Sequence, residues 1–163
     1  MKYVKGDLIS LALNGEFDVI AHGCNCFCAM GAGIAPKISR QFKADTFKME
    51  SKIYKGDLNK LGTIDYQKVE GSSLIVVNCY SQFKPGPDLS YAALELCLIK
   101  LAHTFPNKRI GIPFIGAGLA GGDPVIIYDL MRDNLHDKST LVIFEDHLYD
   151  IVEELVNEDS NPV

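Results

Sequence analysis

The chain has 163 residues, 47% hydrophobic and 23% charged, enough for one domain that buries about 70% of the surface of its unfolded form without disulfide or metal staples. Sixteen Lys and Arg against 21 Asp and Glu leave a net charge of −5, which argues against a nucleic-acid backbone as the main partner, and no apolar stretch approaches the roughly 20 residues of a membrane span. The opening Met-Lys-Tyr-Val-Lys-Gly-Asp has no apolar signal core, and an odd count of five cysteines suits a cytoplasmic chain whose thiols stay reduced.

Tyr3 and Val4 read as a short first strand ended by Gly6-Asp7-Leu8, where Asp7 is a turn or capping residue if taken alone. Residues 19–22, Val-Ile-Ala-His, form an apolar run without helical spacing, which suits the end of a buried parallel strand. Asn25 then brings an amide that both donates and accepts, and Gly31-Ala32-Gly33 brings a backbone almost free of side chains. The spacing becomes helical over 33–42, with Ile34, Ile38 and Phe42 on one face and Pro36 in the first turn. Free N–H groups at such a helix start suit a phosphate, while a plain strand-to-helix turn is the competing reading of this loop alone.

Residues 44–54 read as a polar surface helix, 63–69 as a half-buried strand and 74–80 as a central strand. Pro85-Gly86-Pro87 excludes regular structure from the loop 81–89, and Asp88 or Ser90 caps a helix carrying Leu94, Cys97, Leu98, Leu101 and Phe105 at helical spacing. Residues 110–114 form the next strand. A second small-residue loop follows over 115–122, then Asp123 and Pro124 as cap and first-turn proline of a helix buried through Ile127, Leu130 and Met131. A last strand at 141–144 and a closing helix at 147–156 complete a domain spanning 1–157, and an acidic tail at 158–163 frays. Alternating strands and helices give an α/β sheet with helices on both faces, and both glycine loops fall at strand carboxyl ends, where ligands sit.

Three motifs carry rival readings. Cys24, Cys26 and Cys28 have C-x-C-x-C spacing with no companion knuckle, which fits small buried residues better than a zinc site, so no metal is expected. His22 stands at a strand end beside the first loop, where an imidazole of pKa about 6.5 could act on a bound phosphate or its attacking water, although a lone histidine is more often structural. Gly116, Gly118 and Gly121 satisfy G-x-G-x-x-G with Glu145 at the end of the next strand, but a dinucleotide fold puts that fingerprint in its first strand-helix-strand unit.

Over about 145 residues the chain resembles the macro domain family of ADP-ribose binders and hydrolases. Four stretches carry the likeness: Gly6-Asp7-Leu8, the loop from His22 to Ala35, the strand ending at Ser81, and the loop from Ile115 to Asp123. H-x-C-N-C ahead of the glycines is similar to the ADP-ribose 1″-phosphate phosphatase branch, in a subgroup that also holds terminal ADP-ribose protein glycohydrolases and related bacterial and phage proteins.

The resemblance implies a three-layer αβα fold around a mixed, largely parallel sheet. It implies that Asp7 accepts from the adenine amino group, that Leu8 helps hold the ring and that Asn25 binds the distal ribose. Gly31, Ala32, Gly33 and Ile34 would wrap the diphosphate from one side, and Ile115, Gly116, Ala117, Gly118 and Leu119 from the other. Gly23, Cys24, Met30, Tyr80, Gln82, Phe114 and Ala120 complete the implied ligand shell, and His22, Asn25 and Asp123 are the catalytic candidates. The expected activity is metal-independent hydrolysis of ADP-ribose 1″-phosphate by a monomer with no cofactor, acting on nucleic acid only as an ADP-ribosylated substrate. Gln82 stands where the glycohydrolases carry a lysine, Lys84 is out of register, and Ala120 stands where they carry an aspartate, which opposes removal of ADP-ribose from macromolecules. A reader that binds ADP-ribose without turnover is the further alternative.

Overall fold

The computed structural model describes residues 1–47 and 56–161. Six strands, β1 (Lys2–Lys5), β2 (Val19–Asn25), β3 (Ile64–Lys68), β4 (Ile75–Gln82), β5 (Ile110–Pro113) and β6 (Ser139–Ile143), form one sheet in the order β1-β6-β5-β2-β4-β3. All neighbours are parallel except β3, which runs antiparallel to β4 at one edge. The helices are α1 (Leu8–Leu13), α2 (Ala35–Phe42), α3 (Tyr91–Thr104), α4 (Pro124–Asn134) and α5 (Asp146–Ser160). Among the described residues no helix is long and apolar enough to cross a membrane.

Alternation along the central strands divides the core into two layers. Val19, Ala21, Val77, Cys79, Leu141 and Ile143 pack beneath α3, α4 and α5 through Leu94, Leu98, Leu101, Ile127, Met131 and Val152. The residues between them, Ile20, Val76 and Val142, face the other way and pack with Leu8, Ala12, Phe17, Ile38 and Phe42 of the α1 and α2 side. The sheet is thus buried on both faces, as parallel sheets require. The result is the expected three-layer αβα arrangement with a mixed, largely parallel sheet.

The structure departs from the sequence reading at five places. Residues 8–13, Leu-Ile-Ser-Leu-Ala-Leu, are helical: Asp7 Oδ1 accepts from Ser10 N at 3.0 Å and Gly15 at φ 79° ends the segment. Strand β2 continues past His22 to Asn25, because its pairing with β4 continues to Gln82 across one register shift. Residues 44–47 are not helical, and 48–55 of the expected second helix lie outside the described residues. A single 3-10 turn at Leu58–Lys60 leads into β3, with Asp57 accepting from Asn59 N. Helix α5 continues through Glu158 to Ser160, with Asp159 paired to Arg132 at 3.0 Å, so that part of the expected tail is ordered helix.

Candidate functional site

The carboxyl ends of β1, β6, β5, β2 and β4 surround a cavity of about 630 Å³. Asp7, Leu8, Gly23, Cys24, Asn25, Gly31, Ala32, Gly33, Ile34, Gln82, Phe114, Ile115, Gly116, Gly118, Leu119 and Ala120 line it. His22, Met30, Tyr80, Ala117 and Asp123 do not.

Two loops that line this cavity hold unengaged backbone donors. In the first, the N–H groups of Gly31, Ala32, Gly33 and Ile34 bond to no described residue, and Ile34 caps α2 without a side-chain hydrogen bond. Gly33 holds φ 63°, a left-handed conformation that glycine adopts without a Cβ penalty. The second loop is folded by its own bonds: Ala117 N donates to Phe114 O at 3.2 Å, Gly121 N to Gly118 O at 3.0 Å and Gly122 N to Gly116 O at 2.7 Å. Gly116 N, Gly118 N, Leu119 N and Ala120 N remain without a described acceptor, all on cavity-lining residues. Backbone N–H groups concentrated in two facing turns form an anion cradle that needs few basic side chains. Lys37 is the one basic residue among those that line the cavity.

The side chains proposed for chemistry are engaged elsewhere. Asn25 Oδ1 accepts from Phe27 N at 3.1 Å and from Ala29 N at 3.2 Å, while its Nδ2 donates to Ala29 O at 3.0 Å. The amide therefore shapes the start of the first loop, and one Nδ2 hydrogen is left for a ligand. His22 is fully buried, with Nε2 2.6 Å from Asn78 Oδ1. Burial lowers its pKa to about 4, against smaller upward effects of Asn78 and Asp65. Asn78 Nδ2 donates to Asp65 Oδ1 and Asp45 O, and Tyr80 OH donates to Asp65 Oδ2 at 2.6 Å, so His22 and Tyr80 both belong to a buried network beneath the cavity. Asp123 is exposed and spends Oδ1 on Val125 N at 2.9 Å as the cap of α4, so it stands away from the cavity.

The three cysteines pack as apolar groups: Cys24, Cys26 and Cys28 are buried with Tyr80. Burial pushes the Cys24 thiol well up, which keeps it protonated and a poor nucleophile. Gln82 Nε2 donates to Lys84 O at 2.7 Å and Gly86 O at 2.9 Å, and Asp88 Oδ2 accepts from Lys84 N at 2.8 Å, so the Pro-Gly-Pro loop is tied down as a wall of the site. Ser90, rather than Asp88, caps α3.

Sequence reasoning missed Phe144, Glu145, Lys37, Ser81, Pro85 and Gly86, all of which line the cavity. Phe144 is 65% exposed, but in sequence it only continues the apolar run of the last strand, so nothing there set it apart. Glu145 follows β6, and Ser81, Pro85 and Gly86 lie at or after the end of β4, so the sheet order brings them to the site, while Lys37 comes with α2.

No protein-family model matches the chain. It is 37% identical over 155 residues to the uncharacterized 17.5 kDa protein in the tk-vs intergenic region of Enterobacteria phage T4, a match covering 89% of this chain and 96% of the phage protein. Among solved structures, the macrodomain of Thermus aquaticus DarG superposes with a TM-score of 0.67 at 17% identity, over 88% of this chain and 97% of that one. Thermosipho africanus DarTG in complex with ADP-ribose gives a TM-score of 0.67 at 15% identity, over 90% of this chain and 42% of that one. The sheet order and these superpositions show that the chain has the macrodomain fold. At the level of sequence it belongs to one family with the phage T4 17.5 kDa protein.

Proposed function

We propose that the cavity binds ADP-ribose and that the chain hydrolyses the phosphate monoester of ADP-ribose 1″-phosphate. The observation that carries this reading is the pair of loops whose unengaged N–H groups belong to residues lining one cavity, an arrangement that suits a diphosphate when an acidic protein supplies little positive charge. Asp7 and Leu8, at the β1 end, receive the adenine, and the distal ribose lies toward β4. Water attacks the phosphorus, the bond between phosphorus and the 1″ oxygen breaks, one proton of that water ends on the departing 1″ oxygen, and ADP-ribose and inorganic phosphate leave. Positioning and the fixed N–H dipoles supply the stabilisation of charge on the phosphoryl oxygens, and this reading routes no step through a metal. In this reading His22, buried, bonded to Asn78 and off the cavity lining, supports the floor of the site and is given no proton-transfer role.

The test is phosphate release from ADP-ribose 1″-phosphate, with and without EDTA, for the wild-type protein and for Asn25→Ala. Release that survives EDTA and disappears in the variant supports the reading. A second reading, a receptor for ADP-ribose without turnover, is favoured by the engagement of His22, Asn25 and Asp123 in bonds of their own. Calorimetric binding of ADP-ribose with no phosphate release would establish it. Removal of ADP-ribose from a macromolecule is less well supported, because Gln82 holds the loop at the position where that chemistry uses lysine.

A further inference from the structure

Ser81, near the end of β4, lines the cavity at 1% exposure, and its Oγ finds no hydrogen-bond partner in the protein. The backbone there is fixed, since Ser81 O accepts from Ser90 N at 3.0 Å. Neighbouring polar side chains all have partners of their own: Asn25 in its loop, Asn78 and Tyr80 on Asp65, Gln82 on Lys84 and Gly86. An orphaned buried hydroxyl is costly, and such groups call for an explanation. Gly23 supplies part of one. A Cβ at that position would stand 3.2 Å from Ser81 Oγ and 2.8 Å from Ile115 Cγ2, so the glycine keeps space open between the hydroxyl and the second loop.

Along the sheet, β4 lies three strands from β6 and four from β1, so this hydroxyl sits at the end of the cavity opposite Asp7. Resting on the ADP-ribose reading above, we infer that Ser81 Oγ is a specificity contact for the sugar beyond the diphosphate. A hydroxyl both donates and accepts, which matches a ribose hydroxyl.

The experiment compares ADP, which lacks the second sugar, with ADP-ribose by calorimetry on the wild-type protein and on Ser81→Ala, and measures thermal unfolding of both proteins without ligand. Ser81→Ala is expected to weaken ADP-ribose about five- to tenfold while leaving ADP unchanged, and to leave the unfolding temperature equal or higher because an unpaired hydroxyl has been removed. Equal weakening of both ligands, unchanged ADP-ribose affinity, or a lower unfolding temperature each overturns the assignment. If the wild-type protein binds ADP-ribose and Ser81→Ala matches it, only the Ser81 assignment falls. If the wild-type protein binds neither ligand, the ADP-ribose reading falls and takes this one with it.

Discussion

His22 Nε2 lies 2.6 Å from Asn78 Oδ1, and the far side of the same amide donates to Asp65 and to the Asp45 carbonyl. Those two donations fix which way the amide points, so the oxygen faces the imidazole and Nε2 carries the proton. A neutral ring is thereby built into the floor of the site.

The first prediction concerns pH. Burial holds the folded His22 near a pKa of about 4, below its ordinary 6.5, so the unfolded chain takes up a proton first as pH falls. The contribution is complete above about pH 6.5 and is lost as pH drops toward 4, to a total of about 3 kcal/mol. Urea unfolding at pH 7 and pH 4.5 checks this: the loss of stability on acidification is expected to be smaller in His22→Gln than in the wild type. Equal losses would show that this imidazole is already protonated when folded.

A second prediction separates the two roles of Asn25. Asn25→Ala deletes three hydrogen bonds at the start of the first loop and is expected to cost about 1–3 kcal/mol of stability as well as ligand affinity. Asn25→Asp keeps the acceptor for Phe27 N and Ala29 N and is expected to recover much of the stability. Its negative charge beside a bound diphosphate is expected to keep affinity low. Thermal unfolding paired with calorimetry reads both effects.

Glycines of the second loop divide into structural and permissive ones. Gly116 holds φ 84°, and a Cβ there would come within 2.6 Å of the Leu89 side chain, whereas a Cβ at Gly118 meets nothing within 4 Å. Gly116→Ala is expected to lower stability by about 1–3 kcal/mol, and Gly118→Ala to stay within about 0.5 kcal/mol of wild type. Denaturant midpoints for the two variants decide the matter, and similar losses in both would contradict the geometry.

The wall formed by the Pro-Gly-Pro loop depends on Gln82. Gln82→Ala releases the carbonyls of Lys84 and Gly86, so amide hydrogen exchange across residues 83–88 is expected to speed up while the core strands keep their protection. Unchanged exchange in that loop would mean that the bond from Lys84 N to Asp88 and the proline rings hold it without Gln82.

Much of the architecture was legible because it rests on short-range patterns. The runs over 19–22 and 74–80 announced buried parallel strands, and Pro36 and Pro124 marked two helix starts within a residue. Helix α1 escaped because Leu8, Ile9, Leu11, Ala12 and Leu13 leave almost no polar face to set a period, while Leu13 is 57% exposed. The glycine loops were readable as cavity walls, since a backbone donor needs only the absence of side chains. What His22 and Asn25 do was not readable, because each is decided by a partner that spacing does not specify: Asn78 is 56 residues from His22, and Asn25 turns back on its own loop, whereas the capping role of Asp123 follows from the proline after it.

The sheet order also sets when the site comes into existence during synthesis. β6, made last, inserts between β1, made first, and β5, and it brings Val142, Phe144 and Glu145 into the cavity wall. A nascent chain stopped before residue 139 holds both glycine loops yet has no wall joining Asp7 to them. On the proposed ADP-ribose reading, ligand capture waits for nearly the whole domain to leave the ribosome, and the bound ligand then bridges the first strand and the last.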